Sequence, residues 1–157
     1  MRKISVLFVC LGNICRSPAA EAIFISLLEK KGLTDGFIVD SAGTGSWHIG
    51  KKADSRMRIA AQRRDINILS RASQITSKDF EEYNYILAID DSNFRNIQDL
   101  KNKKPSTDFA TVKKKQDFRS VFNEPEVPDP YFGGDEGFDY GLDILEDSVS
   151  GFLESIS

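Results

Sequence analysis

The residue types best suited to chemistry crowd into one short stretch, Cys10-Leu11-Gly12-Asn13-Ile14-Cys15-Arg16-Ser17. It holds the only two cysteines of the chain. A thiolate is a strong nucleophile. A guanidinium is a rigid fork that matches phosphate-like oxygens. Taken singly these residues say little: a cysteine ending an apolar run is usually core packing, and Gly-Asn is usually a turn. The spacing Cys-x5-Arg-Ser is more specific, because it sets a nucleophile and an anion-binding fork on one turn. The chemistry it defines is capture of a tetrahedral dianion above an armed sulfur. A nucleotide-binding Walker loop is excluded, since lysine is absent and the glycine spacing is wrong.

That turn must be held by what flanks it. Ile4–Cys10 reads as a strand buried on both faces, as in a parallel sheet. Ser17 reads as a helix N-cap and Pro18 as part of the first helical turn. Ala20, Ile23, Phe24, Leu27 and Leu28 then form a helical stripe, and Gly32 marks its end. A strand-to-helix turn gathers unpaired backbone N–H groups at the positive end of the helix dipole, so it favours an anion. Gly12 allows positive φ, and Asn13 tolerates it better than most residues. The same field favours the thiolate form of a cysteine at the loop's start.

The remaining pattern alternates strand and helix. Phe37–Val39 is a second strand, closed by Asp40-Ser41-Ala42-Gly43. Gly43 to Lys52 is a loop carrying Trp47 and His48, and Asp54 caps a helix to about Arg64, with Met57, Ala60 and Ala61 inward. Asp79–Glu82 is a short turn or helix, Tyr85–Ile89 a third strand, and Asp90-Asp91-Ser92 caps a helix to about Lys103. A fourth strand falls within Thr111–Phe118, where consecutive lysines suit an edge. Asn123–Gly134 is a Pro- and Gly-rich loop. A last helix starts near Glu136, with Phe138, Leu142, Leu145, Val149, Phe152 and Ile156 as its apolar stripe. This order predicts one α/β domain over residues 1–157, an open parallel sheet with its ligand site beyond the strands' carboxyl ends.

Composition sets limits. A chain of 157 residues with 40 % hydrophobic residues suits one core, and a net charge of −3 argues against nucleic-acid or polybasic membrane binding. Ten acidic residues and no basic one lie between Ser120 and Ser157, most simply as a solvated helix face. No apolar run reaches the length of a membrane span, and Gly12, Asn13 and Arg16 interrupt the N-terminal run too early for a signal peptide. Two cysteines make no disulfide scaffold, which suits a reducing cytoplasm.

The stretch "VCLGNICRSPAAEA" resembles the signature of the low-molecular-weight protein tyrosine phosphatases. The likeness continues in "DSAGT", "YILAIDDSN" and "VPDPYFGG", in family order over nearly the whole chain. The resemblance implies a four-stranded parallel sheet with helices on both faces. It implies that Cys10 is the nucleophile and forms a phosphocysteine. Arg16, with the amides of Leu11 through Ser17, would hold the phosphoryl oxygens. Ser17 would hydrogen-bond the thiolate, and Asn13, helped by Ser41, would hold the loop. Asp129 would be the general acid. Leu11, Ile14, Trp47, Tyr131 and Phe132 would shape the substrate pocket, with His48 on its rim. Cys15 would trap an oxidised Cys10 as a disulfide. The family implies a phosphotyrosine protein or peptide as substrate, phosphate as product and inhibitor, a monomer, and neither metal nor cofactor.

The residues themselves agree about Asp129. It stands between Pro128 and Pro130, which stiffen its backbone, and a positioned carboxylic acid can protonate a departing phenolate. Tyr131 beside it can stack on a ring. The chain departs from some relatives at Ser70 and Ser73, where they carry His and Arg, and at Phe132, where many carry Tyr.

Four other readings stand beside this one. Arsenate reduction on the same fold needs further cysteines, which the chain lacks after Cys15. Phosphoarginine hydrolysis uses the same scaffold, and the family divides at the position of Ile14, where arginine phosphatases carry Thr. A redox sensor or a phosphate-binding module would need no general acid.

Overall fold

The computed structural model describes residues 3–103, 110–119 and 134–156. Its elements follow the chain as β1 (Ile4–Cys10), α1 (Arg16–Lys31), β2 (Phe37–Gly43), α2 (Ser55–Gln62), α3 (Asp79–Glu82), β3 (Tyr85–Ala88), α4 (Asp91–Asn102), β4 (Thr111–Lys114) and α5 (Gly134–Ile156). The four strands form one sheet in the order β2-β1-β3-β4, with every pair parallel. The predicted α/β class with a four-stranded parallel sheet is therefore observed.

The period of two along β1 divides the core between the sheet's faces. Val6, Phe8 and Cys10 join α1, α2 and α5 on one face, while Leu7 and Val9 join Ile86, Phe80 and Ile97 on the other. Phe8, Phe24 and Phe152 meet as an aromatic cluster on the first face, at centroid distances of 5.6 to 6.5 Å. Cys10 thus sits at the last inward position of a strand buried on both faces. Its neighbour across the ladder is Gly43, the last residue of β2.

Several boundaries depart from the sequence reading. β2 runs four residues past Val39, because its partner β1 remains in register to Cys10. Ser17 is not the N-cap of α1: the helix begins at Arg16, Cys15 precedes it, and no side chain caps it. Gly12 does not adopt positive φ; Asn13 does, at 56°. Gly32 does end α1 in the left-handed conformation, and Asp54 and Asp90 do cap α2 and α4. β4 lies at the edge, with Lys113 and Lys114 on it, whereas Lys115 in the following turn is fully buried.

The acidic α5 is partly neutralised. Arg64 reaches Asp143 at 2.9 Å, Glu146 at 3.3 Å and Asp139 at 3.7 Å. Burial alone would lower the Arg64 pKa, but Asp143 and Glu146 outweigh it and raise it. Among the described residues, no helix is long and apolar enough to cross a membrane.

Candidate active site

Cys10 closes β1 and Arg16 opens α1, so the intervening loop lies at the carboxyl edge of the sheet. The loop's carbonyls are tied outward. Those of Cys10, Leu11, Ile14 and Cys15 accept from the N–H groups of Thr44, Gly45, Asp54 and Ala19, at 2.7 to 3.2 Å. With these four carbonyls engaged, the loop's remaining N–H groups are the polar groups it can offer an anion. The absent cap on α1 has the same effect: its first turn carries neither a side-chain cap nor an acidic residue.

The sulfur has two polar partners. Ser17 Oγ lies 2.9 Å from Cys10 Sγ, and the Asn13 N–H donates to that sulfur at 3.3 Å. Asn13 is buried, and its amide orientation follows from its partners. The Ser73 N–H donates to its Oδ1 at 2.9 Å, so its Nδ2 faces the other way, toward Ser17 Oγ at 2.7 Å and Ser41 Oγ at 3.0 Å. Ser17 accepts from Asn13 and must send its own proton to Cys10 Sγ or to the Ala42 carbonyl, 3.3 Å away. Ser41 likewise donates to Glu21 Oε1 at 2.6 Å. Ser73 thus serves through its backbone N–H, and its hydroxyl donates to the Ser41 carbonyl at 3.2 Å.

Close packing demands a glycine behind the loop. A Cβ on Gly43 would stand 2.7 Å from the Leu11 carbonyl and 3.1 Å from the Asn13 nitrogen, both backbone atoms. In front, Cys10, Leu11, Gly12, Ile14, Cys15 and Arg16 line a cleft of about 300 Å3 with Trp47 and His48. Trp47 is 65 % exposed and its ring lies over Gly45, where a Cβ would overlap it. Leu11 is also exposed, so the mouth of the cleft is apolar. His48 packs against Gly12 and is half-buried.

Arg16 is aimed by a residue that sequence reading took only for a cap. Its Nη1 pairs with Asp90 Oδ2 at 2.8 Å, while Asp90 Oδ1 accepts from the Asn93 N–H at 2.7 Å. Asp90 therefore joins the C-terminal end of β3 to the guanidinium. Glu21 was also missed, and Ser73 was noted only as a departure from relatives. The signal for Glu21 was its spacing of four from Ser17 on one helix face. Nothing local marked Asp90 or Ser73 as partners of the loop.

Burial pushes the Glu21 carboxyl up to about 6, Asp40 adds to the rise, and its bonds from Ser41 and Ser70 oppose it. A carboxyl whose folded pKa is raised favours the fold most below its unfolded value. That contribution is lost as pH rises from about 4.5 through about 6. The scale is about 2 kcal/mol.

Cys10, Leu11, Gly12, Asn13, Ile14, Cys15, Arg16, Ser17, Ser41, Trp47 and His48 are thus brought to one place. Asp129, Tyr131 and Phe132 lie outside the described residues.

Comparison with known proteins places this arrangement. The family model described as "Low molecular weight phosphotyrosine protein phosphatase" matches residues 5–157. The protein of that name from Schizosaccharomyces pombe is 41 % identical over 157 residues, covering 99 % of each chain. A crystal structure of a protein tyrosine phosphatase from Entamoeba histolytica, with Hepes in its active site, superposes with a TM-score of 0.92. It is 41 % identical, over 98 % of this chain and 97 % of that one. The crystal structure of a Drosophila arginine phosphatase superposes with a TM-score of 0.90 at 30 % identity, over 97 % of each chain. On its fold, its loop and these likenesses, the chain belongs to the low molecular weight phosphotyrosine protein phosphatase family.

Proposed function

We propose that this protein hydrolyses phosphotyrosine, and aryl phosphates generally, through a phosphocysteine intermediate. The observation that carries the reading is the Cys10 sulfur, held by Ser17 Oγ and the Asn13 N–H beneath an apolar-mouthed cleft. The Cys10 thiolate attacks phosphorus. The P–O bond to the phenol breaks, and Asp129 gives its proton to the departing oxygen. Arg16 and the loop amides stabilise the charge on the transferring phosphoryl group. Water then attacks phosphorus and loses its proton to Asp129, and the S–P bond breaks to release phosphate and the thiolate. The Ser17 hydroxyl donates to sulfur as it regains charge. Leu11, Ile14, Trp47, Tyr131 and Phe132 flank the ring, and His48 borders it.

General-acid help is worth about 10²- to 10⁴-fold where the leaving group needs a proton. Asp129→Asn should therefore slow hydrolysis of alkyl-substituted phenyl phosphates far more than that of p-nitrophenyl phosphate. An equal loss across a leaving-group series would assign Asp129 another role.

The reading extends to a single-domain monomer in the reducing cytoplasm, acting on phosphoproteins without metal, cofactor, nucleic acid or membrane. Analytical ultracentrifugation and cell fractionation test those points. Cys10 and Cys15 are not joined as a disulfide here. Peroxide would oxidise Cys10 to the sulfenic acid, which condenses with the Cys15 thiol and releases water. Intact mass after peroxide, lower by two hydrogens and restored by dithiothreitol, is the expected sign; a mass gain of whole oxygens alone would refute the pairing.

The likeness to an arginine phosphatase supports a second reading on the same scaffold. Ile14 lines the cleft with an apolar side chain. The expected result is a higher kcat/KM for phosphotyrosine than for phosphoarginine peptides. Ile14→Thr should narrow the gap by about 1–3 kcal/mol, the worth of one side-chain contact. Wild-type preference for phosphoarginine would replace tyrosine with arginine and leave the cysteine mechanism standing.

A further inference from the structure

Ser17 and Glu21 lie four residues apart on α1 and so share a face of that helix. Asn13 and Ser41 stand between them. The result is a continuous chain of contacts: Cys10 Sγ to Ser17 Oγ at 2.9 Å, Ser17 Oγ to Asn13 Nδ2 at 2.7 Å, Asn13 Nδ2 to Ser41 Oγ at 3.0 Å, and Ser41 Oγ to Glu21 Oε1 at 2.6 Å. Asn13 donates to both hydroxyls, so each must turn its own proton outward. Ser41 turns it toward Glu21, and Ser17 has two acceptors in reach, the sulfur at 2.9 Å and the Ala42 carbonyl at 3.3 Å.

The far end decides how firmly that order holds. An ionised carboxylate only accepts, so it takes the Ser41 proton and leaves the Ser41 lone pairs to Asn13. A protonated carboxyl is a weaker acceptor and has a proton of its own to place, so it removes that bias. We propose that Glu21 is a positioning residue for Cys10: its carboxylate, through Ser41 and Asn13, holds the Ser17 hydroxyl proton on the sulfur. The proposal rests on the reading of Cys10 as the nucleophile.

The groups around Glu21 leave it free to titrate. Ser41 and Asp40 face it from β2, and Ser70 donates to it from the segment after α2. Tyr83, after α3, feels Glu21 together with Asp40, Asp79 and Glu82. Glu29 of α1 and Asp65 share a recess of about 230 Å3 with it. Among the described residues Glu21 makes no salt bridge. Its carboxyl, raised to about 6 mainly by burial, changes state within the range of ordinary assays.

The test measures alkylation of Cys10 by iodoacetamide from pH 5 to pH 8, resolved from Cys15 by peptide mass spectrometry. The reagent is neutral, so no substrate ionisation enters. Glu21→Gln imitates the protonated carboxyl at every pH. The ratio of wild-type to Glu21→Gln rates should be near one at pH 5. It should rise about 3- to 10-fold by pH 8, the difference between a charge-assisted and a neutral hydrogen bond. The midpoint should lie near 6. Ser41→Ala cuts the chain, so Ser41→Ala and the double variant should superpose. A ratio independent of pH overturns the proposal, and so does one that falls with pH. A Glu21→Gln effect that persists unchanged without Ser41 also overturns it, because the charge would then act through space. If Glu21→Gln does not fold, the wild type decides: ¹³C NMR titration of Glu21 and the alkylation profile must share an inflection, and its absence refutes the role. Parallel phosphatase assays separate the two readings, since pH-dependent alkylation without phosphatase activity would refute the proposed function alone.

Discussion

Replacing Cys10 by serine should abolish turnover of p-nitrophenyl phosphate and leave the fold in place. Cys10 is 3 % exposed, and its sulfur lies 2.9 Å from Ser17 Oγ and accepts from the Asn13 N–H. A serine oxygen can accept the same donors, so thermal unfolding should stay within a few degrees of wild type. The hydroxyl, however, is scarcely ionised near neutral pH, and the donors of the loop cannot make it a nucleophile. The loss expected is about 10⁴- to 10⁶-fold in kcat, the scale seen when a nucleophile is removed from an intact site. The variant should still bind phosphate and aryl phosphates, because Arg16 and the loop amides remain. Residual activity above about one per cent of wild type would rule out covalent catalysis at Cys10.

The second large effect is expected at Arg16. Its guanidinium is mostly buried, is aimed by Asp90 at 2.8 Å, and opens α1 directly beside the loop. A fork of this kind stabilises the charge on a transferring phosphoryl group while its other edge is held by a carboxylate. Arg16→Lys keeps the charge but not the fork, and should lower kcat about 10²- to 10³-fold. Arg16→Ala should be worse on two counts. It removes the fork, and it strands a carboxylate that is itself only 12 % exposed. Asp90→Asn should lie between wild type and Arg16→Lys, since an amide can still accept the Asn93 N–H and cap α4. Steady-state kinetics with inorganic phosphate as inhibitor separates the contributions: loss at Arg16 should appear in both kcat and phosphate affinity. An Arg16→Lys enzyme within threefold of wild type in both would remove Arg16 from the chemistry.

Much of this site was legible before any fold was known. The proposed nucleophile, the guanidinium fork and the turn between them lie within seven residues of one another. Local signals were enough to place β1 at its observed bounds, to end α1 at Gly32, and to cap α2 and α4 with Asp54 and Asp90. The same local logic misassigned Ser17. A serine before a proline at a strand-to-helix turn looks like a cap, and only its burial against Cys10, Asn13 and Ala42 shows that its hydroxyl is engaged elsewhere. Gly12 and Asn13 both suited the left-handed conformation, and the pairing of Asn13 with Ser17, Ser41 and Ser73 fixes it at Asn13.

What the sequence alone determined is therefore the chemistry available: a thiol, a guanidinium and a donor-rich turn set between a buried strand and a helix. Those features depend on neighbours a few residues away, where propensity and spacing are decisive. What only the tertiary structure decided is how that chemistry is supported. The partners of Arg16 and Asn13 come from 74 and 60 residues further along, and Glu21 reaches the loop through Ser41, 20 residues beyond it. Such pairs carry no local signature. They exist because parallel pairing in register brings the ends of β1, β2 and β3 to one edge of the sheet, where segments remote in sequence supply the hydrogen bonds that a buried polar loop requires.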